Sequence, residues 1–215
     1  MARRRKRTYA LSRRQRAVMI GFALTVAALL IGLDRGVVGP RWSRLFSSRQ
    51  QTIGADLARY EGGTFAVTRV IDGDTVHLDV PDDGGPVTKV RLLGIDSPEM
   101  GGAGAKPMHF AEEATRFATD LALGKVVTVY LDEPAGSRDK YDRLLAYLQL
   151  PDDTFLNEQL LQGGYVYADL RFRHSYYSKY KQLEAGARAA RAGLWADVSP
   201  DQMPAWRQER RSDAE

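Results

Sequence analysis

The sequence predicts an α+β fold: a small five-stranded β-barrel with three helices, preceded by one N-terminal transmembrane helix. Three observations predict it. Two β-branched runs, "TFAVTRVI" and "TVHLDV", meet at the turn "DGD". A helical period, with Phe110, Ala114, Phe117 and Leu121 three to four residues apart, interrupts the strands after the third. An uncharged apolar run, Ala17 to Leu33, follows a cluster of basic residues.

The elements follow in chain order. Residues 1–16 hold eight basic side chains (Arg3, Arg4, Arg5, Lys6, Arg7, Arg13, Arg14, Arg16) and no acid. The chain has 31 Lys+Arg and 27 Asp+Glu; without those eight the count is 23 against 27, so the remainder is acidic. The net charge of +4 therefore says nothing for a polyanionic partner of the main domain, and such a partner has to be argued from local sites. The apolar run 17–33 reaches about 25 Å as a helix, the short end of a bilayer span. Positive charges before it hold the N-terminus in the cytoplasm, so residues 17–33 are expected to anchor the chain with the remainder outside. A signal peptide removed by cleavage is the alternative, although "GLDRGVVGP" offers no clear small-residue cleavage site. A nuclear-localisation reading of "RRRKR" ignores the apolar run beside it. The absence of cysteine fits an exported domain held by its core, and fits a cytosolic one equally.

Residues 34–62 show no sustained pattern beyond a short helical stretch in "SSRQQTIGADLARYEGG", and read as a spacer. The folded part is expected over 63–196. After the hairpin at "DGD", "DDGG" turns the chain into a third strand, "VTKVRLLGI". A helix runs from Pro107 to Leu123 and stops at Gly124. "KVVTVYL" and "RLLAYLQL" are strands four and five. "TFLNEQLLQGG" is a short helix with a Thr cap and a glycine stop, and "YSKYKQLEAGARAARAGLW" a longer one. Residues 197–215 are polar and read as a frayed tail.

The acids carry the chemistry. Asp72 and Asp74 flank the hairpin glycine, and "GIDSPE" at the end of strand three supplies Asp96 and Glu99. If strands one to three are neighbours, these carboxylates gather at one end of the barrel, where they suit a hard cation such as Ca²⁺. The plain alternative is that "DGD" is only a turn, since Asp-Gly is a strong hairpin signal. His77, His109 and His174 are scattered and there is no thiol, which argues against zinc. Two arginines shift the weighing: Arg91 in strand three and Arg143 at the start of strand five. Guanidinium forks bind phosphate in pairs of hydrogen bonds and stabilise the charge that builds on its oxygens, so acids with two arginines point to a phosphodiester.

"VIDGDTV", "RLLGIDSPE" and "DKYDRLLAYL" stand in the order and spacing of the staphylococcal nuclease-like (thermonuclease) family, which the chain resembles from Gly63 to Trp195. The closing "LNEQLLQGGYVYA" and "EAGARAARAGLW" are similar to that family's final helices. The resemblance implies an OB-type barrel and a Ca²⁺-dependent nuclease that hydrolyses DNA, with RNA as a second candidate substrate, leaving 3′-phosphates. It aligns Asp74 and Asp96 with carboxylates that bind Ca²⁺ directly, the Ser97 carbonyl with a further ligand, and Asp72 with an acid acting through water. Glu99 matches the residue that activates or orients the attacking water. Arg91 and Arg143 match the phosphate-binding arginines, and Lys140 and Tyr141 match residues touching a neighbouring phosphate. Two positions depart from the pattern: Ser97 replaces Thr, and Asp142 replaces a Gly, adding negative charge beside Arg143. No obligate protein partner is implied. A membrane-anchored OB module that binds single strands without cutting them is the competing class, and it would be expected to lack one or more of Asp74, Arg91, Glu99 and Arg143. A structural or adhesion barrel leaves the converging acids and arginines unexplained.

Overall fold

The computed structural model describes residues 52–212 apart from 83, 102, 103 and 105. The expected anchor and basic N-terminus, and the spacer up to residue 51, lie outside these residues. Among the described residues no helix is long and apolar enough to cross a membrane.

Five strands close into a barrel in the order β1-β2-β3-β6-β5. They are β1 (Thr64–Asp72), β2 (Thr75–Leu78), β3 (Thr88–Leu92), β5 (Val126–Tyr130) and β6 (Leu144–Gln149). All neighbours are antiparallel except β3 and β6, which run parallel with Arg91 opposite Leu145. Alternation along the strands turns Val67, Val76, Leu78, Val90, Leu92, Val127, Val129, Leu144, Ala146 and Leu148 into the barrel, each at most 1% exposed. This is the five-stranded OB-type barrel expected above.

The predicted third strand is broken. After Leu92 the chain turns at Leu93 and Gly94, the latter at φ 77°, and resumes as β4 (Ile95–Asp96), which leaves the barrel to pair with β7 (Tyr167–Ala168). Asp96 is thereby set opposite Tyr167 at the barrel's mouth.

The helices differ more from expectation. The predicted span Pro107–Leu123 shortens to the helix Ala111–Ala122, because Phe110 before it is left-handed (φ 69°). The helix Leu156–Gln162 starts at Phe155 without a side-chain cap; Thr154 bonds Asp152 instead. The helix Tyr177–Ala189 stops well before Trp195, which lies in a 3₁₀ turn, Gly193–Ala196.

Two stretches expected as spacer and tail are part of the fold, and the short helix expected in the first is present. Residues 52–60 form a helix whose Tyr60 is fully buried in the core. Asp56 of that helix is bonded by Arg138 at 2.7 and 2.9 Å, and the same guanidinium reaches Asp82 of the "DDGG" turn at 2.6 and 3.1 Å. A fifth bond, to the carbonyl of Asp142 at 3.1 Å, uses the last donor of the fork. The spacer therefore ends before residue 52 rather than at 62. The tail also folds: a turn, Pro200–Gln202, leads to the helix Ala205–Ser212, with Met203 buried beside Trp195 and Tyr167. Its mostly polar composition, with no sustained apolar period, is why the sequence suggests a frayed end.

Candidate active site

Glycine at position 73 brings the two acidic motifs together. A Cβ there would overlap the Ser97 hydroxyl and lie 3.0 Å from the Ala114 Cβ, so the "DGD" hairpin packs directly on the "IDSP" loop. The Asp72 carboxylate accepts from the Asp74 backbone N–H at 3.0 Å and closes the turn, which is the plain hairpin role weighed above. Asp74 is buried and points inward. Its Oδ2 accepts from the Ser97 N–H at 2.6 Å and its Oδ1 from the Thr75 hydroxyl at 3.0 Å.

Arg91, opposite Thr75 in the β2–β3 register, ties the acids into one group. Its Nη2 donates to Asp96 Oδ1 at 2.9 Å and stands 3.2 Å from Asp74 Oδ2. Its Nη1 donates to the carbonyls of Leu92 (2.8 Å) and Ile95 (2.6 Å), which the break in the third strand turns toward it. The side chain is 13% exposed, and its two Nη groups are taken up by these four oxygens. Arg143 approaches from β6, with Nη1 3.3 Å from the Thr75 hydroxyl, and is steadied by Asp139 at 2.7 and 2.8 Å. Asp74, Thr75, Arg91, Asp96 and Arg143 are thus one connected network.

The remaining expected residues sit around it. Glu99 is exposed, and its ionisation responds to Asp74, Asp96, Arg91 and Arg143, which places its carboxylate within their field. Tyr141 is 67% exposed on the loop before β6, with Lys140 Nζ 4.8 Å and the Arg143 guanidinium 5.5 Å from its ring. Asp142, where the family pattern has Gly, adopts φ 63°, a left-handed conformation that glycine takes without strain.

Electrostatics favour added positive charge. Burial raises Asp74 from 3.8 to about 6 against the lowering pull of Arg91, and the Asp72 charge adds to the rise. Burial also raises Asp96, opposed by Arg91 and by a hydrogen bond from Trp206. Glu99, though exposed, is raised first by partial desolvation and then by the charges of Asp74 and Asp96. Among the described residues no three acids or histidines form a ready metal cage. The convergent pair, Asp74 and Asp96, offers hard oxygens short of positive charge, and that donor chemistry fits Ca²⁺ with carbonyl and water completing its shell.

Sequence reasoning missed four supports. Thr75 links Asp74 to Arg143, and Asp139 holds Arg143 from four residues away in "DKYDR". Arg171 donates to Asp96 Oδ1 at 3.0 Å while held by Asp169 at 2.8 Å. Trp206 donates from its indole N–H to Asp96 Oδ2 at 2.9 Å. The one signal for the last was a tryptophan in a mostly polar tail.

Comparison with known proteins agrees with this geometry. The family described as "Staphylococcal nuclease homologue" matches residues 89–197. A thermonuclease of Staphylococcus hyicus is 28% identical over 144 residues, covering 66% of this chain and 82% of the relative. Endonuclease YhcR of Bacillus subtilis is 31% identical over 150 residues, 66% of this chain but 12% of the relative. An uncharacterized 38.1 kDa protein of Capnoides sempervirens is 35% identical over 127 residues, 58% of this chain and 33% of the relative. The chain thus spans most of the thermonuclease and a minor part of the other two. The barrel, the acid–arginine network at its mouth and the match over residues 89–197 have one reading: the chain belongs to the staphylococcal nuclease homologue family and carries its nuclease domain.

Proposed function

We propose that the chain is a Ca²⁺-dependent nuclease that hydrolyses phosphodiester bonds of DNA, and of RNA as a second substrate, leaving 3′-phosphates. The observation that carries this is the single network in which Arg91 joins Asp74 to Asp96 while Thr75 joins Asp74 to Arg143. Asp74, Asp96 and the Ser97 carbonyl would hold the cation, with Asp72 acting through water. When bound, Ca²⁺ supplies positive charge that neutralises the scissile phosphate. Arg91 and the fork of Arg143 would grip the phosphate oxygens as charge builds on them. Glu99 orients the attacking water and takes its proton, for which a raised pKa is suited. Lys140 and Tyr141 hold the next phosphate along the strand, the exposed ring and its two cations being apt for a single strand. We further propose that residues 17–33 anchor the chain in the cell membrane with this domain on the extracytoplasmic side, the basic residues 1–16 remaining inside.

The test is to incubate the full-length chain with single-stranded DNA, double-stranded DNA and RNA, in Ca²⁺ or chelator, and to analyse the product ends. Cleavage should stop in chelator, return with Ca²⁺, return poorly with the smaller and more rigidly octahedral Mg²⁺, and leave 3′-phosphates. Full activity in chelator would falsify the calcium assignment, and tight binding without cleavage would favour the binding-module reading. Protease added outside intact cells, or spheroplasts, should release the domain; a protected domain would reverse the topology.

A further inference from the structure

We propose that Trp206, nine residues beyond the end of the family match at 197, positions Asp96 as a calcium ligand; this rests on the calcium reading of the site. A carboxylate offers about four lone-pair positions, two on each oxygen. Asp96 Oδ1 is filled on both: Arg91 Nη2 donates at 2.9 Å and Arg171 Nη2 at 3.0 Å. Oδ2 accepts the Trp206 indole N–H at 2.9 Å and keeps one lone pair. Three donors from three separate segments therefore fix the rotation of the carboxylate and leave one direction for a cation.

The indole is itself held in place. Two guanidiniums lie over its ring, Arg171 at 4.6 Å and Arg207 at 4.9 Å. Arg207 is anchored by an ion pair with the buried Glu184 and donates to the Ala168 carbonyl at 3.1 Å. Ala168 pairs with Ile95, the neighbour of Asp96 in β4, so the terminal helix and the ligand strand are braced on the same two-stranded sheet. Arg171 both bonds Asp96 and stacks on Trp206, so the contact is a closed assembly of three side chains rather than a chance touch of a surface tryptophan. Hydrogen bonds to a ligating carboxylate orient it, and their loss lowers metal affinity about 10–100-fold.

The experiment measures Ca²⁺ binding to the full-length chain by titration calorimetry. The proteins are the wild type, Trp206→Phe, Trp206→His, Asp96→Asn and Trp195→Phe, each also unfolded in urea. Trp206→Phe keeps an aromatic ring and loses the N–H; its Kd for Ca²⁺ should rise about 10-fold with the urea midpoint nearly unchanged. Trp206→His restores a ring N–H and should recover part of the loss. Trp195→Phe, which leaves the indole of Trp206 in place, should bind as the wild type does. A wild-type Kd in Trp206→Phe, or a tighter one showing that the helix competes with the cation, overturns the inference while Asp96→Asn, by losing binding, upholds the site. Failure of the wild type to bind Ca²⁺ overturns the calcium reading and this inference with it.

Discussion

Arg91 and Arg143 are assigned the same service to phosphate, yet replacing each by alanine should damage the protein differently. Arg91 holds the carbonyls of Leu92 and Ile95 and sits between two acids, at 13% exposure. Removing it leaves two carbonyls without their donor, each costing about 1–3 kcal/mol, and strips the shared cation from Asp74 and Asp96. Breaking a buried pair costs about 3–5 kcal/mol, and because Asp96 keeps Arg171 and Trp206 the combined loss lies at the low end, about 4 kcal/mol. Arg143 is 26% exposed, and its partner Asp139 keeps bonds from the backbone N–H groups of Tyr141 (2.9 Å) and Arg143 itself (3.0 Å). That loss should cost about 0.5–1 kcal/mol. With a urea slope of about 2 kcal/mol/M, the midpoint should fall by about 2 M in Arg91→Ala and by under about 0.5 M in Arg143→Ala. Both should lose about 10²-fold or more in kcat, because each removes a preorganised donor to the transition state. Urea unfolding followed by tryptophan fluorescence, with initial rates on DNA at saturating Ca²⁺, separates the cases. Equal midpoints for the two variants would refute the structural role given to Arg91. A kcat for Arg143→Ala above about a tenth of wild type would refute its part in the chemistry.

Glu99→Gln removes the carboxylate proposed to take the water's proton, and should lower kcat by about 10²-fold with nucleotide affinity within a few-fold; an unchanged kcat would make Glu99 a surface acid. Asp142→Gly relieves the left-handed conformation at φ 63° and removes a negative charge beside Arg143, so KM for DNA at low salt should fall while kcat holds. A rise in KM would show that the Asp142 charge assists the loop. Asp74 gives a pH signature in calcium-free protein. Its native carboxyl holds a proton up to about pH 6 whereas the unfolded one releases it near 3.8, so the native state binds more protons across that interval and stability falls as pH rises through it. Arg91, Asp72, Asp96 and Glu99 share its surroundings, so the measure is the difference in unfolding free energy between wild type and Asp74→Asn at pH 4 and pH 7. A difference that does not change with pH would show that Asp74 ionises as an ordinary acid.

The barrel was legible in the sequence because its strands alternate against one core and its hairpin turn is written in Asp and Gly. The acids and arginines of the site were legible for a related reason: they lie within or at the ends of those strands, so the motifs fix their order and spacing. What stayed hidden is how residues 52–60 and the tail pack, which depends on partners distant in the chain. The helix over residues 52–60 contributes one fully buried side chain, Tyr60, and is fastened by an acid whose partner is 82 residues away. The helix Ala205–Ser212 has almost no apolar stripe: Trp206 is the apolar side chain it packs on the cluster of Tyr167, Trp195 and Met203, and stacks of arginine on indole with an ion pair to Glu184 add to that hold. Such contacts leave no periodicity to read. The break at Leu93 and Gly94 was hidden because "VRLLGI" continues the apolar run that a strand would show. Thr75 and Asp139 were passed over because each acts by holding another side chain.

The five-bond fork of Arg138 reaches beyond stability. Arg138 opens the same short loop that ends at Arg143, with Lys140 and Tyr141 between them, and it grips Asp56, Asp82 and the backbone of Asp142. Three segments remote in sequence therefore share one guanidinium, and none can change its charge alone. An acid lost at either position leaves a largely buried cation short of a partner and loosens one root of the loop that carries Lys140 and Tyr141. Across the lineages of this chain, positions 56, 82 and 138 should accordingly drift together or not at all, and the helix before the barrel should be inherited with the loop it steadies.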